Sequence, residues 1–161
     1  MTDRQSANEY FRSILLTVMG QPFDAAGYIL EEQPVQWAGG MFRFVKPLDD
    51  DLYGFIEFQH LAYSDSEWAS GMPSRFRVSV IRSDNVNASL VSTHPRYTRR
   101  TLSALVVEDF GVAILPSSDH WWTFKSTEEL GNALAEAAHL LIGYAMPWLA
   151  GDLKPGEHRA D

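Results

Sequence analysis

The side chains best suited to chemistry lie in one short run, Asp119-His120-Trp121-Trp122. An Asp-His pair is half of a catalytic dyad, in which a carboxylate orients an imidazole that acts as general base. No nucleophile can be tied to this pair from the sequence. In an extended segment, neighbouring side chains face opposite ways. One tryptophan can therefore anchor in the core while the other lies at the surface as a binding anchor beside Asp119 and His120. We favour the alternative in which both tryptophans close the sheet against the second helix.

A second histidine, His60, ends the strand-like run Glu57-Phe58-Gln59-His60. Alternation along a strand puts Phe58 and His60 on one face, with Glu57 and Gln59 on the other. A histidine on an apolar face is typical of a core residue with satisfied hydrogen bonds, and we favour that interpretation over an acid-base role.

Other signatures of catalysis are missing from the sequence. It has no Gly-x-Ser-x-Gly elbow, no Gly-rich phosphate loop and no His-Glu-x-x-His pair. It also has no cysteine, which excludes disulfides, thiolate zinc sites and a cysteine nucleophile. The run Asp49-Asp50-Asp51 lacks the spacing of a calcium loop and is interpreted as a solvated turn. The sequence therefore predicts no catalytic residue, no metal site and no cofactor.

Positive charge is concentrated in one part of an acidic chain. The 161 residues carry a net charge of -8, whereas the segment from Arg75 to Arg100 holds six arginines and one acid, a net charge of about +5. In its polar second half, Arg96, Arg99 and Arg100 are predicted to be free to bind an anion. The acidic balance of the whole chain argues against general nucleic-acid binding.

The connection from Leu61 to Arg75 is a further predicted binding region. It contains Trp68, whose apolar surface needs a partner, and the acidic Asp65. Its length is one at which loops without secondary structure become functional or disordered. Because acids are frequent from Asp49 to Glu67, we expect this window to form an interface for a basic protein.

A sheet and two helices must position these residues. Apolar side chains at helical spacing predict a first helix from Ser6 to Met19, with Gly20 and Pro22 as its stop. Short runs rich in aromatic or branched residues predict six strands. They are Gly27–Glu32, Met41–Lys46, Leu52–Ala62, Phe76–Ile81, Thr101–Val107 and Val112–Leu115.

The chain should close with a second helix. Ser126-Thr127-Glu128-Glu129 is typical of a capping box at a helix start, and Pro147 predicts the end. The order of helix, strands and helix predicts an α+β two-layer sandwich, in which an antiparallel sheet of about five or six strands packs against an N-terminal and a C-terminal helix. We expect a single domain over residues 1–151 and a disordered tail over residues 152–161.

Several of these runs together resemble a family of small uncharacterised bacterial domains. The resemblance rests on the strand Phe55-Ile56-Glu57-Phe58-Gln59, the strand Phe76-Arg77-Val78-Ser79-Val80, the Trp121-Trp122 pair and the helix end Tyr144-Ala145-Met146-Pro147-Trp148-Leu149. It implies helices flanking an antiparallel sheet and supplies no established activity or catalytic residues.

The leading functional prediction is a non-catalytic protein-binding module in the cytoplasm, immunity-like in the sense that an acidic surface covers a basic partner. The sequence contains no apolar signal core and no long apolar run, so we expect no membrane segment. One alternative is a small hydrolase or transferase for an anionic ligand, with His60 or His120 as base and Arg77 or Arg96 holding the anion. Another is a structural oligomer subunit, and the expected state is a monomer or homodimer.

Overall fold

A computed structural model describes residues 2–49, 51–62 and 74–156. It contains an antiparallel sheet with helices on one face, which confirms the predicted α+β two-layer fold. The strands are β1 (Ile29–Leu30), β2 (Met41–Asp49), β3 (Leu52–Leu61), β4 (Ser74–Ser83), β5 (Thr98–Thr101) and β6 (Trp122–Phe124). The helices are α1 (Thr2–Ala25), α2 (Pro34–Ala38), α3 (Leu102–Ala104), α4 (Thr127–Leu140) and α5 (Met146–Ala150), with π-helical turns at Leu105–Asp109 and Leu141–Ala145.

The sheet follows chain order, β1-β2-β3-β4-β5, and every pairing is antiparallel. β6 pairs with the beginning of β4, and β5 pairs with its end, so both lie along the same edge of β4. β2 and β3 form an antiparallel hairpin, and Asp51 adopts a positive φ of 61° in its turn. β1, at the other end of the sheet, pairs only with β2 among the described strands.

The first helix is longer than predicted at both ends. It passes through Gly20 and Pro22, although a proline removes one helical hydrogen bond. Phe11, Leu15 and Phe23 are fully buried along one face of α1, and the Phe23 ring meets Phe44 of β2 at 5.0 Å. Phe23 lies beyond the predicted end of the helix at Met19, so its packing against Phe44 stabilises the last turn of α1.

The C-terminal helix begins as predicted. The Ser126 hydroxyl oxygen accepts a hydrogen bond from the Glu129 amide at 3.1 Å, while the Glu129 carboxylate accepts from the amide of Lys125. Helical structure continues through Pro147, which occupies the first turn of α5, where its missing N–H has little cost. The helix ends at Gly151, in the left-handed conformation at a φ of 85°.

Two of the six predicted strands are wrong. Thr101 ends β5 and caps α3 by accepting a hydrogen bond from the Ala104 amide at 3.2 Å. The residues predicted as the strand Thr101–Val107 are therefore mostly helical, and those predicted as Val112–Leu115 form a turn. The strand-like composition arises because most of the apolar side chains after Thr101 are buried in the core.

The two faces of the sheet differ in what covers them. The helix-covered face holds the main core, whereas the opposite face, here called the back face, is covered at one end by the connection between β4 and β5. There Phe55, Ile81 and Ala88 form a separate small apolar cluster. Leu153, within the predicted tail, packs against the main core, and residues 157–161 lie outside the described range.

Candidate binding site

The two neighbouring tryptophans divide between the faces of the sheet. Trp122 is 4% exposed, stacks on Phe76 with ring centroids 5.4 Å apart and donates a hydrogen bond from Nε1 to the Glu136 carboxylate at 2.7 Å. Trp121 is half-buried and lies against the back face. The two tryptophans therefore divide between core and surface, with Trp121 at the surface, and the favoured interpretation that both close the sheet against the second helix is wrong.

Two arginines of β4 lie over the Trp121 ring. The guanidinium carbon of Arg75 is 4.4 Å from the ring centroid, and that of Arg77 is 4.8 Å away. Both side chains point to the same face because they are two residues apart on one strand. Arg77 also donates a hydrogen bond from Nε to the Gln59 side-chain oxygen at 3.2 Å. Two guanidinium groups therefore contact one aromatic ring.

The two candidate histidines lie away from these guanidinium groups. His60 is 3% exposed on the core face, where the interpretation as a satisfied core residue is confirmed by a 2.8 Å hydrogen bond between its Nδ1 and Asn8. His120 contacts the core-facing Trp122 edge-on at 4.6 Å, and burial lowers the pKa of His120. Neither imidazole therefore shares a face with Arg77.

The expectation that the arginines of the polar connection are free is wrong. Arg96 contacts the Asp49 carboxylate at 3.4 Å, and Arg100 pairs with Asp109 at 2.9 Å and with Glu108. Arg99 donates to the buried carboxylate of Glu57 at 3.0 Å. Asp49 and Glu57 are distant in sequence from the arginines that they bind, whereas Glu108 and Asp109 follow Arg100 by eight and nine positions.

Within the described residues, the predicted acidic interface from Asp49 to Glu67 is interrupted by a buried acid. Glu57 is buried and binds Arg43 as well as Arg99, so its charge is already compensated. Asp51 lies exposed in the hairpin turn. The predicted binding residues Asp65 and Trp68 lie outside the described residues.

A cleft of about 460 Å³ lies between α1 and the β1 edge of the sheet. Its floor is apolar and includes Leu16, Tyr28 and Phe44. Trp37 of α2 forms one wall, and the Arg12 guanidinium lies 4.4 Å from its ring centroid. A cleft of this size falls within the range of about 300–1,000 Å³ that is typical of ligand sites.

The rim of this cleft is acidic. Asp24 and Glu32 line it, and Glu9 lines a smaller adjoining hollow that shares Arg12 and Trp37. Arg12 is the one cation among the residues that line the two hollows, whereas three of those residues are acidic. The combination of an apolar floor and an acidic rim suits a ligand that is both apolar and basic.

Sequence reasoning missed this cleft. Trp37 was assigned to no site, although Pro34 at the start of α2 was a local signal for a short helix. The walls come from elements that are separated along the chain, and their spacing depends on how α1 crosses the sheet. The periodicity of the sequence does not predict the angle at which α1 crosses the sheet.

Within the described ranges, no helix is long and apolar enough to cross a membrane. The same residues contain no group of three or more histidines, cysteines or acids that could hold a metal ion. Comparison with protein-family models, curated proteins and solved structures finds no match for the chain. The resemblance to small bacterial domains therefore stays a prediction.

Proposed function

We propose that this protein is a non-catalytic cytoplasmic binding protein that holds a basic segment of a partner protein in the cleft beside β1. The observation that carries the proposal is the apolar floor of the cleft, which Asp24 and Glu32 also line, with Glu9 in the adjoining hollow. Burial of apolar side chains on the floor supplies affinity, while the acidic rim attracts lysine or arginine and speeds the encounter. An immunity-like role, in which this protein covers a basic toxin domain, is the specific form we propose.

The open edge of the sheet favours a polypeptide over a small molecule. In antiparallel pairing, alternate residues direct their N–H and C=O groups away from the neighbouring strand. Ile29 and Leu30 pair with β2, no other described strand pairs with them, and both line the cleft. An extended segment lying in the cleft therefore finds backbone groups as well as apolar surface, as in strand addition to a sheet edge.

The positions of the histidines favour binding over catalysis. A hydrolase that held an anion on Arg77 would need a base within hydrogen-bond reach of the same ligand. In the described part of the chain, His60 lies within the core and His120 beside Trp122, whereas Arg77 lies on the back face. This separation supports the binding-protein proposal over the enzyme alternative.

The proposal is tested by selecting peptides from a random display library on the immobilised protein at low salt. We expect the selected peptides to carry lysine or arginine beside an apolar residue. The affinity of a labelled selected peptide is then measured by fluorescence anisotropy. In the double variant Asp24→Lys/Glu32→Lys, we expect binding to weaken about tenfold or more, because two attractive rim charges become repulsive.

The matched control is Asp119→Lys/Asp152→Lys, which changes the net charge equally at exposed positions away from the cleft. It should leave the dissociation constant within about twofold after correction for long-range attraction. Equal weakening in both double variants, or selected peptides without cations, would reject the cleft as the binding site.

A further inference from the structure

The Arg77 guanidinium on the back face has an incomplete set of partners. Its Nε donates to the Gln59 side chain, and its plane lies over the Trp121 ring. The two terminal nitrogens donate to no other group within the described residues, and no described carboxylate forms an ion pair with Arg77. A half-buried guanidinium with unused donors in a fixed orientation is suited to bidentate binding of an oxyanion.

Among the described residues, no acidic side chain pairs with Arg77. Glu57 lies diagonally across from Arg77, since Glu57 pairs with Ser79 and Gln59 pairs with Arg77 in the sheet register. Its carboxylate, however, is already bonded to Arg43 on one oxygen and to Arg99 on the other. Its charge is thus compensated by two other guanidinium groups.

Arg75 adds a second guanidinium to the same ring, 4.4 Å from the Trp121 centroid. The indole ring restricts both arginines, so less side-chain entropy is lost when an anion binds. The Arg77 guanidinium attracts a dianion more strongly than a carboxylate, because the dianion carries twice the charge. Ser79, next along the same face of β4, can offer a hydroxyl donor to the same ligand.

From this geometry we propose that Arg77, supported by Gln59 and Trp121, forms a binding site for a phosphate monoester. The site lies on the back face near β6 and is separate from the acidic cleft at the β1 edge. It does not depend on the proposed function. The same chemistry is offered by a phosphorylated side chain and by a phosphorylated small metabolite.

The first test uses phenyl phosphate at pH 7.5 and constant ionic strength, with the Trp121 indole N–H signal followed by NMR. We expect a saturable shift with a dissociation constant on the order of millimolar, the value for a small ligand held by few contacts. Acetate, a monoanion, should bind at least several-fold more weakly. Absence of a saturable shift, or equal affinity for acetate, would overturn the proposal.

The variants are Arg77→Gln and the matched control Arg12→Gln. Arg12 also lies over a tryptophan, with its guanidinium 4.4 Å from the Trp37 ring centroid, but acidic residues surround it. Arg77→Gln should weaken phenyl phosphate binding at least tenfold, and Arg12→Gln should leave it unchanged. Far-UV circular dichroism checks that each variant is folded. Equal binding by wild type and Arg77→Gln, or equal loss in both variants, would contradict the assignment.

A final comparison separates the two sources of the phosphate group. A phosphoserine peptide and ribose 5-phosphate are titrated separately under the same conditions. Saturable binding of either that is lost in Arg77→Gln supports the site, and the tighter ligand identifies the source. Failure of both to bind, or binding that Arg77→Gln leaves unchanged, would overturn the proposal.

Discussion

At the scale of single residues, the His60 imidazole is enclosed by aromatic rings. It stacks on Phe11 with ring centroids 4.4 Å apart and on Phe124 at 5.8 Å. The amide oxygen of Asn8 faces Nδ1 at 2.8 Å, which assigns the proton to Nδ1, and the Asn8 amide nitrogen donates to the Ala38 carbonyl. Burial lowers the pKa of His60 to about 4, so the ring is neutral at physiological pH. This histidine joins α1 to the sheet.

We expect His60 to make stability depend on pH. Below about pH 6.5 the unfolded imidazole binds a proton, while the folded one stays neutral down to about pH 4. The unfolded state then holds more protons, so the free energy of unfolding falls as the pH drops through this window, by up to roughly 3 kcal/mol. Urea unfolding at pH 7, 6 and 5 measures this loss.

The non-titrating variant His60→Gln provides the control. It should be less stable than wild type at pH 7 because it loses the aromatic stacking, but its stability should fall less between pH 6.5 and pH 4. Parallel pH profiles for the two proteins would show that another group is responsible.

At the scale of elements, a buried charge network connects β2, β3 and β5. One oxygen of Glu57 accepts hydrogen bonds from Arg43 at 3.0 and 2.6 Å, and the other accepts one from Arg99 at 3.0 Å. Arg43 also contacts Glu31 at 3.6 Å, and burial raises the pKa of Glu31. Since a buried charge is costly without a partner, the three strands are held in one register.

Removing different members of this network should have unequal effects. Glu57→Gln leaves the 5% exposed Arg43 without its main counter-charge and should lower the free energy of unfolding by about 3 kcal/mol or more. Arg99→Ala removes a side chain that is 42% exposed and should cost less than about 1 kcal/mol. Chemical denaturation of both variants measures the difference. An equal loss of unfolding free energy in both variants would mean that Arg99 contributes as much to stability as a buried charge.

The ends of α1 and α5 are determined by contacts with distant residues and not by the local sequence alone. Gly20 and Pro22 favour a stop in α1, yet Phe23 continues the buried face beyond them. Similarly, Arg82 donates to the carbonyl oxygens of Trp148 and Leu149, which stabilises the last turn of α5. A long-range contact can thus outweigh a local stop signal.

At the scale of the whole molecule, one core joins nearly every element. Buried side chains from α1, the sheet, the segment after β5 and α4 belong to a single apolar cluster. The small group around Phe55 and Ile81 on the back face forms a separate cluster. A shared core of this kind makes unfolding cooperative.

We therefore expect a single unfolding transition in urea. Far-UV circular dichroism, which reports backbone structure, should coincide with tryptophan fluorescence, which reports packing around Trp122 and its neighbours. The slope of the free energy with urea should be about 1–3 kcal/mol per molar. A separate early fluorescence transition would mean that α4 and β6 detach before the sheet unfolds.

By itself, the sequence determined the elements with a strong local signal. Periodic apolar residues predicted the middle of α1, alternation predicted β2, β3 and β4 and their faces, and Ser126 with Glu129 predicted the start of α4. Each of these signals depends on residues a few positions apart, which are neighbours in a helix or strand whatever the rest of the chain does. For the same reason, alternation predicted that Trp121 and Trp122 face opposite ways.

Only the tertiary structure decided which charges are paired and where the cleft lies. Arg99 meets Glu57 42 positions away, and His60 meets Asn8 52 positions away. The residues after Thr101 are helical and not extended, because the helical conformation buries their apolar side chains in the core. Contacts at such separations depend on how helices cross the sheet, and that geometry is set by the packing of the whole core.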